Sequence, residues 1–239
     1  MARILLVHGS CHGAWCWQDV LPYLAGHEVS AIDLPGHGAD QTPVGDITLD
    51  LYVDAVLAEI ERIGAPVVLV GHSAAGITLA SVAERAPEKI ARLVYICAYV
   101  PQDGDDLVSM RKRAKRQPIL PAIRMAEDGA SYAADPALAG SIFYHDCPTS
   151  AVERALPRLC HEPVLPQRTR VSLGENHTGV ARSYILCTDD HTIPPEEQEK
   201  MVRGWPESDI IRLDCGHSPF FACPETLGGI LDTLAKGST

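Results

Sequence analysis

The residues with the clearest chemical potential form a short segment around a serine. Residues 71–76 read Gly-His-Ser-Ala-Ala-Gly, after the apolar run 67–70 and before a helical pattern over 74–86. A tight strand-to-helix turn of this composition holds the serine in strained backbone with its hydroxyl above the sheet, although Ala75 stands where glycine is usual. Helix N-terminal N–H groups favour negative charge there. The segment predicts Ser73 as a nucleophile; the alternative is a serine that only caps a helix.

A serine nucleophile needs a base, and the chain offers ten histidines. His217 follows the last apolar run and precedes the last helical pattern, which places it outside the carboxyl ends of parallel strands, beside Ser73. His8 and His12 have the i, i+4 spacing of metal ligands, but they flank glycine in a loop, where that spacing does not bring them together. The sequence therefore predicts His217 as the base, and no metal site.

The base in turn needs a carboxylate that orients it. Asp190 directly follows a predicted strand, at the same edge of the sheet as the serine. The chain order Ser73, Asp190, His217 is the order of catalytic triads on the α/β-hydrolase fold. Asp189 is an immediate alternative, and Asp103, after another predicted strand, is a more distant one.

Ester chemistry at a serine also needs backbone N–H groups that face the developing oxyanion, each worth roughly 3 kcal/mol in the transition state. One donor is expected from Ala74, the residue after the nucleophile. The other is expected from Ser10 in the loop 8–13, which reads His-Gly-Ser-Cys-His-Gly. Gly9 and Gly13 allow a tight backbone there, although a plain strand-to-helix turn would use glycine as well.

The elements that must position these residues are read from short aliphatic runs and helical patterns. Runs rich in β-branched residues predict buried parallel strands at 4–7, 29–32, 67–70, 93–98, 184–186 and 210–213. Helical spacing of apolar residues predicts helices at 15–25, 49–63, 74–86, 196–203 and 224–234. Strands that alternate with helices in this way indicate the α/β class, with a mostly parallel central sheet flanked by helices.

One stretch, 101–181, interrupts this alternation. It is rich in proline, shows no clear buried strand, and is too long for a loop. It is therefore predicted to be a mostly helical cap, inserted into a single domain whose core is formed by 1–100 and 182–239. The cap contains a basic run, 111–116, that either is an exposed helix face or guides acidic substrates; so dense a run surrounds a helix, which favours the exposed face.

Composition limits the class of partner. The chain has 239 residues, of which 20 are Lys or Arg and 31 are Asp or Glu, for a formal net charge of −11. Such a charge argues against nucleic acid and against an anionic membrane surface as partners. No apolar run reaches the ~18 residues of a membrane span, and the first residues lack a signal-peptide pattern. We expect a cytoplasmic protein with reduced cysteines.

With these motifs in place, the chain resembles a known family. Residues 7–17, Val-His-Gly-Ser-Cys-His-Gly-Ala-Trp-Cys-Trp, resemble the opening of the plant methylesterase and hydroxynitrile lyase branch of the α/β hydrolases. That branch includes the salicylate-binding methylesterases and bacterial esterase relatives. Further similar segments are 33–38, 71–73, 143–148, 188–194 and 216–217. The resemblance covers nearly the whole chain and is weakest over 102–141.

The resemblance implies the α/β-hydrolase fold with an inserted helical cap. It also implies a triad of Ser73, His217 and Asp190, with Ser10 and Ala74 as oxyanion donors. A small-molecule ester would be the substrate, no cofactor would be needed, and two chains would pair as a homodimer through the cap.

Three positions separate esterase from lyase within this branch. The lyases carry lysine directly after the catalytic histidine, where this chain has Ser218. They carry threonine after the first histidine of the loop, where this chain has Gly9, and often glutamate before the nucleophile, where it has His72. All three differences favour ester hydrolysis. We expect these three residues, together with His12, to line the substrate pocket.

The sequence thus predicts a serine carboxylesterase that hydrolyses small carboxylic esters through an acyl-enzyme. The alternatives are a hydroxynitrile lyase on the same triad, a ligand-binding receptor on the same fold, and a hydrolase of lactones or thioesters. Methylesterases of this branch usually carry a tryptophan in the cap, so their acyl preference is not carried over. The tryptophans of this chain stand outside the predicted cap, at positions 15, 17 and 205.

Overall fold

The computed structural model describes residues 1–238, and a six-stranded sheet runs through its centre. The strands of these residues are β1 (Arg3–Val7), β2 (Glu28–Ile32), β3 (Val67–His72), β4 (Ile90–Ile96), β5 (Ile123–Met125), β6 (Ser131–Ala134), β7 (Glu162–Pro163), β8 (Arg182–Cys187) and β9 (Ile210–Leu213). The central sheet has the order β2-β1-β3-β4-β8-β9, with every neighbouring pair parallel. Each predicted strand lies on one of these six, and only the bounds differ.

Helices cover both faces of this sheet. The α-helices are α1 (Leu49–Ile63), α2 (Ala75–Arg85), α3 (Leu107–Lys112), α4 (Pro136–Phe143), α5 (Thr149–Ala155), α6 (Val164–Arg168), α7 (Asn176–Gly179), α8 (Pro195–Met201), α9 (Pro219–Ala222) and α10 (Pro224–Lys236). Short 3₁₀ helices lie at Ala14–Trp17, Leu21–Leu24, Val44–Asp46, Pro87–Lys89, Leu120–Ala122, Leu156–Arg158 and Glu207–Asp209.

The helix predicted at 15–25 is wrong, whereas the one at 49–63 has the observed bounds. The first segment forms two 3₁₀ turns, because Pro22 lacks an N–H and its ring clashes with the carbonyl of an α-helical turn. In α1 a capping residue marks each end of the helix. The Thr48 side chain accepts the Leu51 N–H at 3.1 Å, and Gly64 ends the helix in the left-handed region at φ 73°.

The central strands are apolar on both faces, since each face packs a separate core. In β3, Val67 and Leu69 join the core under α1 and α2, whereas Val68 and Val70 join the core under α9 and α10. This two-sided burial explains why the strands read as continuous apolar runs rather than as alternating ones.

The segment 101–181, predicted as a helical cap, holds α3 to α7, but it also contains a second, antiparallel sheet of the order β5-β6-β7. The sequence did not predict these strands, because each has only two to four residues and no alternating pattern. Pairing of Tyr132 with Glu162 joins β6 to β7. All strands of the central sheet lie outside this insertion. No described helix combines the length and apolar character that a membrane crossing requires.

Candidate active site

The turn between β3 and α2 holds Ser73 at the carboxyl edge of the central sheet. Ser73 has φ 55°, the left-handed region that side chains rarely adopt, and its N–H donates to the carbonyl of Ile96 at 3.1 Å. The flanking glycines allow this close approach. A Cβ on Gly71 would lie 2.5 Å from a methyl of Leu79, and one on Gly76 would overlap the carbonyl oxygen of Tyr99. The strained serine backbone expected from the sequence is present.

His217, in the loop between β9 and α9, contacts Ser73 and Asp190 at once. Its Nδ1 lies 2.8 Å from Asp190 Oδ2, and its Nε2 lies 3.1 Å from Ser73 Oγ. Because a carboxylate only accepts, Nδ1–H donates to it, and Nε2 is left to accept the serine hydroxyl proton. Ser73, Asp190 and His217 are 7%, 3% and 1% exposed. This arrangement can move a proton off the serine as it attacks.

Of the three carboxylates that the sequence left open, only Asp190 contacts His217. Asp189 is turned outward, with 63% of its side chain exposed, and accepts a hydrogen bond from His145 Nε2 at 3.0 Å. Asp103 accepts the Leu173 N–H at 2.9 Å, within the insertion.

Asp190 is held by donors on both oxygens. Its Oδ1 accepts the N–H groups of Thr192 at 2.6 Å and Ile193 at 2.9 Å. Its Oδ2 accepts the amide of Gln198 at 2.9 Å in addition to the imidazole. The carboxylate therefore has one orientation before any substrate enters.

Gln198 is a functional candidate that the sequence reasoning missed. It is fully buried in α8, where its amide nitrogen also donates to the Ile193 carbonyl at 2.8 Å and its oxygen accepts the Cys187 N–H at 3.1 Å. The sequence did contain a signal for this residue. Gln198 stands four positions before Val202, so the two share one face of the helix, and Val202 is buried.

The expected oxyanion donors, Ser10 and Ala74, both line the cavity that contains Ser73. Within the described residues, neither backbone N–H donates a hydrogen bond. Gly9 permits the close approach of this loop, because a Cβ there would lie 2.9 Å from the Ser73 Cβ. The Ser10 hydroxyl accepts a hydrogen bond from Gln167 of the insertion at 2.9 Å. Two unpaired donors beside a nucleophile can hold an anionic oxygen.

The cavity at Ser73 has two parts, and Ser10 and Ala74 line both of them. One part is lined by His12 and His72 as well as by Ser73 and His217. The other is lined by Gly9 and by residues of the segment 101–181. Ser218 differs from its prediction: it is fully buried and lines neither part. Its backbone follows His217 into α9, which turns the side chain into the core.

His12 and His72 are held neutral in the cavity wall. Burial lowers the pKa of His12 to about 4, and burial together with the neighbouring His217 keeps the pKa of His72 well below its usual value. His72 Nε2–H donates to the carbonyl oxygen of His217 at 2.7 Å. His72 thereby fixes the backbone of His217. His12 accepts the Tyr144 hydroxyl at 2.7 Å.

Two groups of side chains in the described residues come close enough to suggest metal ligands. One comprises His72, His217 and Cys97, in which both nitrogens of His217 are engaged by Asp190 and Ser73 and His72 Nε2 donates to the His217 carbonyl. The other comprises His145, Asp189 and His191, with imidazoles stacked 3.6 Å apart at 11°. A metal lies in the plane of each imidazole that binds it, and near-parallel stacked rings share no such point. Neither group is arranged as a metal site.

Comparisons with known proteins agree with this geometry. A family model described as alpha/beta hydrolase family matches residues 4–227. Methylesterase 3 of Arabidopsis thaliana is 30% identical over 252 residues, covering 98% of this chain and 96% of that protein. A solved pyrethroid hydrolase from Sphingobium faniae JZ-2 is similar with a TM-score of 0.88, at 24% identity over 98% of this chain and 97% of that chain. A solved Arabidopsis methylesterase has a TM-score of 0.86, at 23% identity over 99% of this chain and 100% of that chain. The predicted fold class is confirmed.

Proposed function

The chain belongs to the alpha/beta hydrolase family, and from that premise we propose that it is a serine carboxylesterase whose triad is Ser73, His217 and Asp190. The observation that carries the proposal is the unbroken line of contacts from carboxylate to imidazole to hydroxyl. Beside these contacts lie the backbone N–H groups of Ser10 and Ala74, neither of which donates a hydrogen bond within the described residues.

In the proposed reaction, Ser73 Oγ attacks the ester carbonyl while His217 Nε2 takes its proton. The carbonyl oxygen becomes an oxyanion that accepts the N–H groups of Ser10 and Ala74. Imidazolium then gives its proton to the leaving alcohol, and an acyl-enzyme remains. Water attacks this ester by the same route and releases the acid, so that one ester and one water give one acid and one alcohol.

Asp190 has two tasks in this cycle. It keeps the proton of the neutral imidazole on Nδ1, so that Nε2 faces the serine, and it stabilises the imidazolium that forms. The carboxylate does not take the proton itself.

The geometry favours ester hydrolysis over cyanohydrin cleavage. The lyase-type threonine at position 9 has no room here, because a Cβ on Gly9 would lie 2.8 Å from His72 Nδ1 and 2.9 Å from the Ser73 Cβ. The lyase-type lysine is replaced by Ser218, whose hydroxyl is buried away from the cavity.

The substrate in this proposal is a small-molecule ester. The Arabidopsis relatives are named methylesterases, and a methyl ester is therefore a suitable first substrate class here. The same proposal includes a core formed by 1–100 and 182–239 with a cap of 101–181, and pairing of two chains through that cap. It also includes a cytoplasmic location and the lack of nucleic-acid or membrane partners.

Hydrolysis of p-nitrophenyl acetate, butyrate and octanoate by the wild type and by Ser73→Ala tests the triad. Loss of the nucleophile should lower kcat by about 10⁶-fold if the three residues act as a unit. Ser81→Ala is the matched control, since this serine lies in α2 and its hydroxyl only donates to the Ile77 carbonyl. Labelling by a fluorophosphonate, read by mass spectrometry of the Ser73 peptide, should be lost only in Ser73→Ala.

Wild-type turnover by Ser73→Ala would overturn the assignment. A wild type that hydrolyses none of these esters but cleaves mandelonitrile would instead favour the lyase. Tight binding of a ligand without turnover would favour a receptor.

A further inference from the structure

Arg111 differs from the rest of the basic run that contains it. It lies in α3, and it lines the same cavity as Ser73 and His217. Its Nε is buried and has no hydrogen-bond partner. A buried donor without an acceptor is unfavourable, so such a group indicates that something else supplies the acceptor.

The neighbouring cations of the run are already neutralised or face water. Arg113 pairs with Asp105 at 2.7 Å, and Arg116 pairs with Glu196 at 2.7 Å. In the part of the chain that the structure describes, Arg111 forms no ion pair. The sequence prediction of an exposed basic face holds for these neighbours but not for Arg111.

The acidic groups nearest to the cavity do not serve Arg111. Asp190 is occupied by its four donors. Glu197, in the adjoining wall, accepts the Lys115 N–H and the Lys200 ammonium, each at 3.2 Å. Tyr99, which also lines the cavity, is neutral because burial raises its pKa. Arg111 lines both this cavity and an adjoining one that holds Glu197, and among the described residues no carboxylate pairs with it.

The position of Arg111 is fixed by the start of its helix. Asp106 caps α3 by accepting the Ser109 N–H at 2.8 Å, and the Asp106 N–H donates to the Ser109 hydroxyl at 3.2 Å. This reciprocal box defines where α3 begins, and Leu107 packs its first turn into the core. A guanidinium on a fixed element is suited to recognise a planar anion with two parallel hydrogen bonds.

We propose that Arg111 binds a carboxylate carried by the ester, so that the substrates are monoanionic esters such as half-esters of short dicarboxylic acids. This inference rests on the proposed esterase function and names its substrate class. The net charge of −11 repels anions from the molecule as a whole, so the preference must arise locally.

The test compares two esters of equal chain length, monomethyl glutarate and methyl valerate, by methanol release at pH 7.5. The wild type should have the higher kcat/KM for the glutarate, through a lower KM. In Arg111→Met the ratio of the two kcat/KM values should fall about 10- to 100-fold, the effect of a charge-assisted hydrogen-bonded pair. Lys112→Met, an exposed lysine of the same helix, should keep the wild-type ratio.

Two further arms complete the design. Acetoxyacetate, compared with propyl acetate, places the carboxylate on the alcohol side, and whichever anionic ester loses its advantage in Arg111→Met identifies the side that Arg111 recognises. Arg111→Lys keeps a positive charge and should keep part of the ratio, which separates charge recognition from a loss of packing.

Binding distinguishes failure of this inference from failure of the esterase proposal. Glutarate titrated calorimetrically into Ser73→Ala should bind, and binding should be lost when Arg111→Met is added. An equal kcat/KM for charged and neutral esters in the wild type, or a ratio that Arg111→Met leaves unchanged, would overturn the inference even if the triad is active. Glutarate binding without Ser73-dependent hydrolysis of any ester would overturn the esterase proposal alone.

Discussion

At the scale of single residues, the site depends on which of two adjacent aspartates contacts His217. Asp189 and Asp190 both follow β8, and the sequence could not separate them by distance from the strand. The turn separates them, because the N–H groups of Thr192 and Ile193 face inward and hold one carboxylate there. The other is left in water with His145.

Replacing Asp190 by asparagine should therefore lower kcat by about 10⁴-fold. The amide can donate its N–H to imidazole Nδ1, which moves the imidazole proton to Nε2 and removes the base that faces Ser73. Asp189→Asn, with the same change on the adjacent residue, should retain nearly wild-type kcat. Steady-state kinetics of both variants on p-nitrophenyl butyrate makes the comparison, and equal losses would contradict the assignment.

At the scale of elements, the turn from β3 into α2 carries the greatest steric constraint. Gly76 lies in α2 where a side chain would overlap the Tyr99 carbonyl, so the helix and the segment after β4 are in backbone contact. Propensity alone would favour alanine over glycine within a helix by about 1 kcal/mol. Here the contact outweighs the propensity.

Gly76→Ala should thus destabilise the fold by at least about 2 kcal/mol, in the range of overpacked cores. Gly229→Ala supplies the control, because this glycine is exposed in α10 and an added Cβ meets open space. It should stabilise the protein by about 0.5–1 kcal/mol. Urea unfolding followed by circular dichroism measures both, and a stabilised Gly76→Ala would show that the two segments can separate.

Elements were predictable from the sequence where burial is continuous, and not where it is local. The inner strands β1, β3, β4 and β8 show strong apolar runs because both faces of the sheet are covered there, and α1 shows helical spacing because one of its faces is buried. The edge strands β2 and β9 are only partly buried, and their aliphatic composition predicted them. Strands β5 to β7 show no such pattern, since each pairs through a few residues only. The exposure of Arg111 was also misjudged, because a residue's neighbours in the chain do not reveal which of them the fold turns inward.

At the scale of the whole molecule, several histidines are buried in a neutral state around the site. Burial lowers the pKa of His8, His12 and His72, and neighbouring imidazoles lower it further. His37 behaves differently: burial alone would lower its pKa, but the Glu162 carboxylate outweighs burial and raises it. The stabilisation that His37 contributes is complete below the pKa of this histidine in the unfolded chain. It is lost only as pH rises through the pKa of His37 in the folded protein.

The protein should accordingly lose stability on acidification between about pH 6.5 and pH 4.5. In this window the unfolded chain binds protons that the folded His8, His12 and His72 do not, so the free energy of unfolding falls with pH. Each such histidine contributes a slope of up to about 1.4 kcal/mol per pH unit. His12→Gln should reduce the slope by about one proton, measured by urea unfolding at a series of pH values.

The exposed His161 provides the control for this experiment. His161→Gln should keep the wild-type slope, because it leaves the three buried imidazoles in place. A wild-type stability that stays flat between pH 6.5 and pH 4.5 would contradict the neutral burial of these side chains.

The close approach of Gly9 to Ser73 has a consequence for how this site can change by mutation. Any side chain at position 9 meets the His72 ring and the Ser73 Cβ together. A change at position 9 is therefore epistatic with position 72: it requires both a smaller neighbour there and a retreat of the loop that carries the Ser10 N–H. A series of mutations from this site toward a lyase-like one must therefore change position 72 before position 9, so steric contact sets the order of the substitutions.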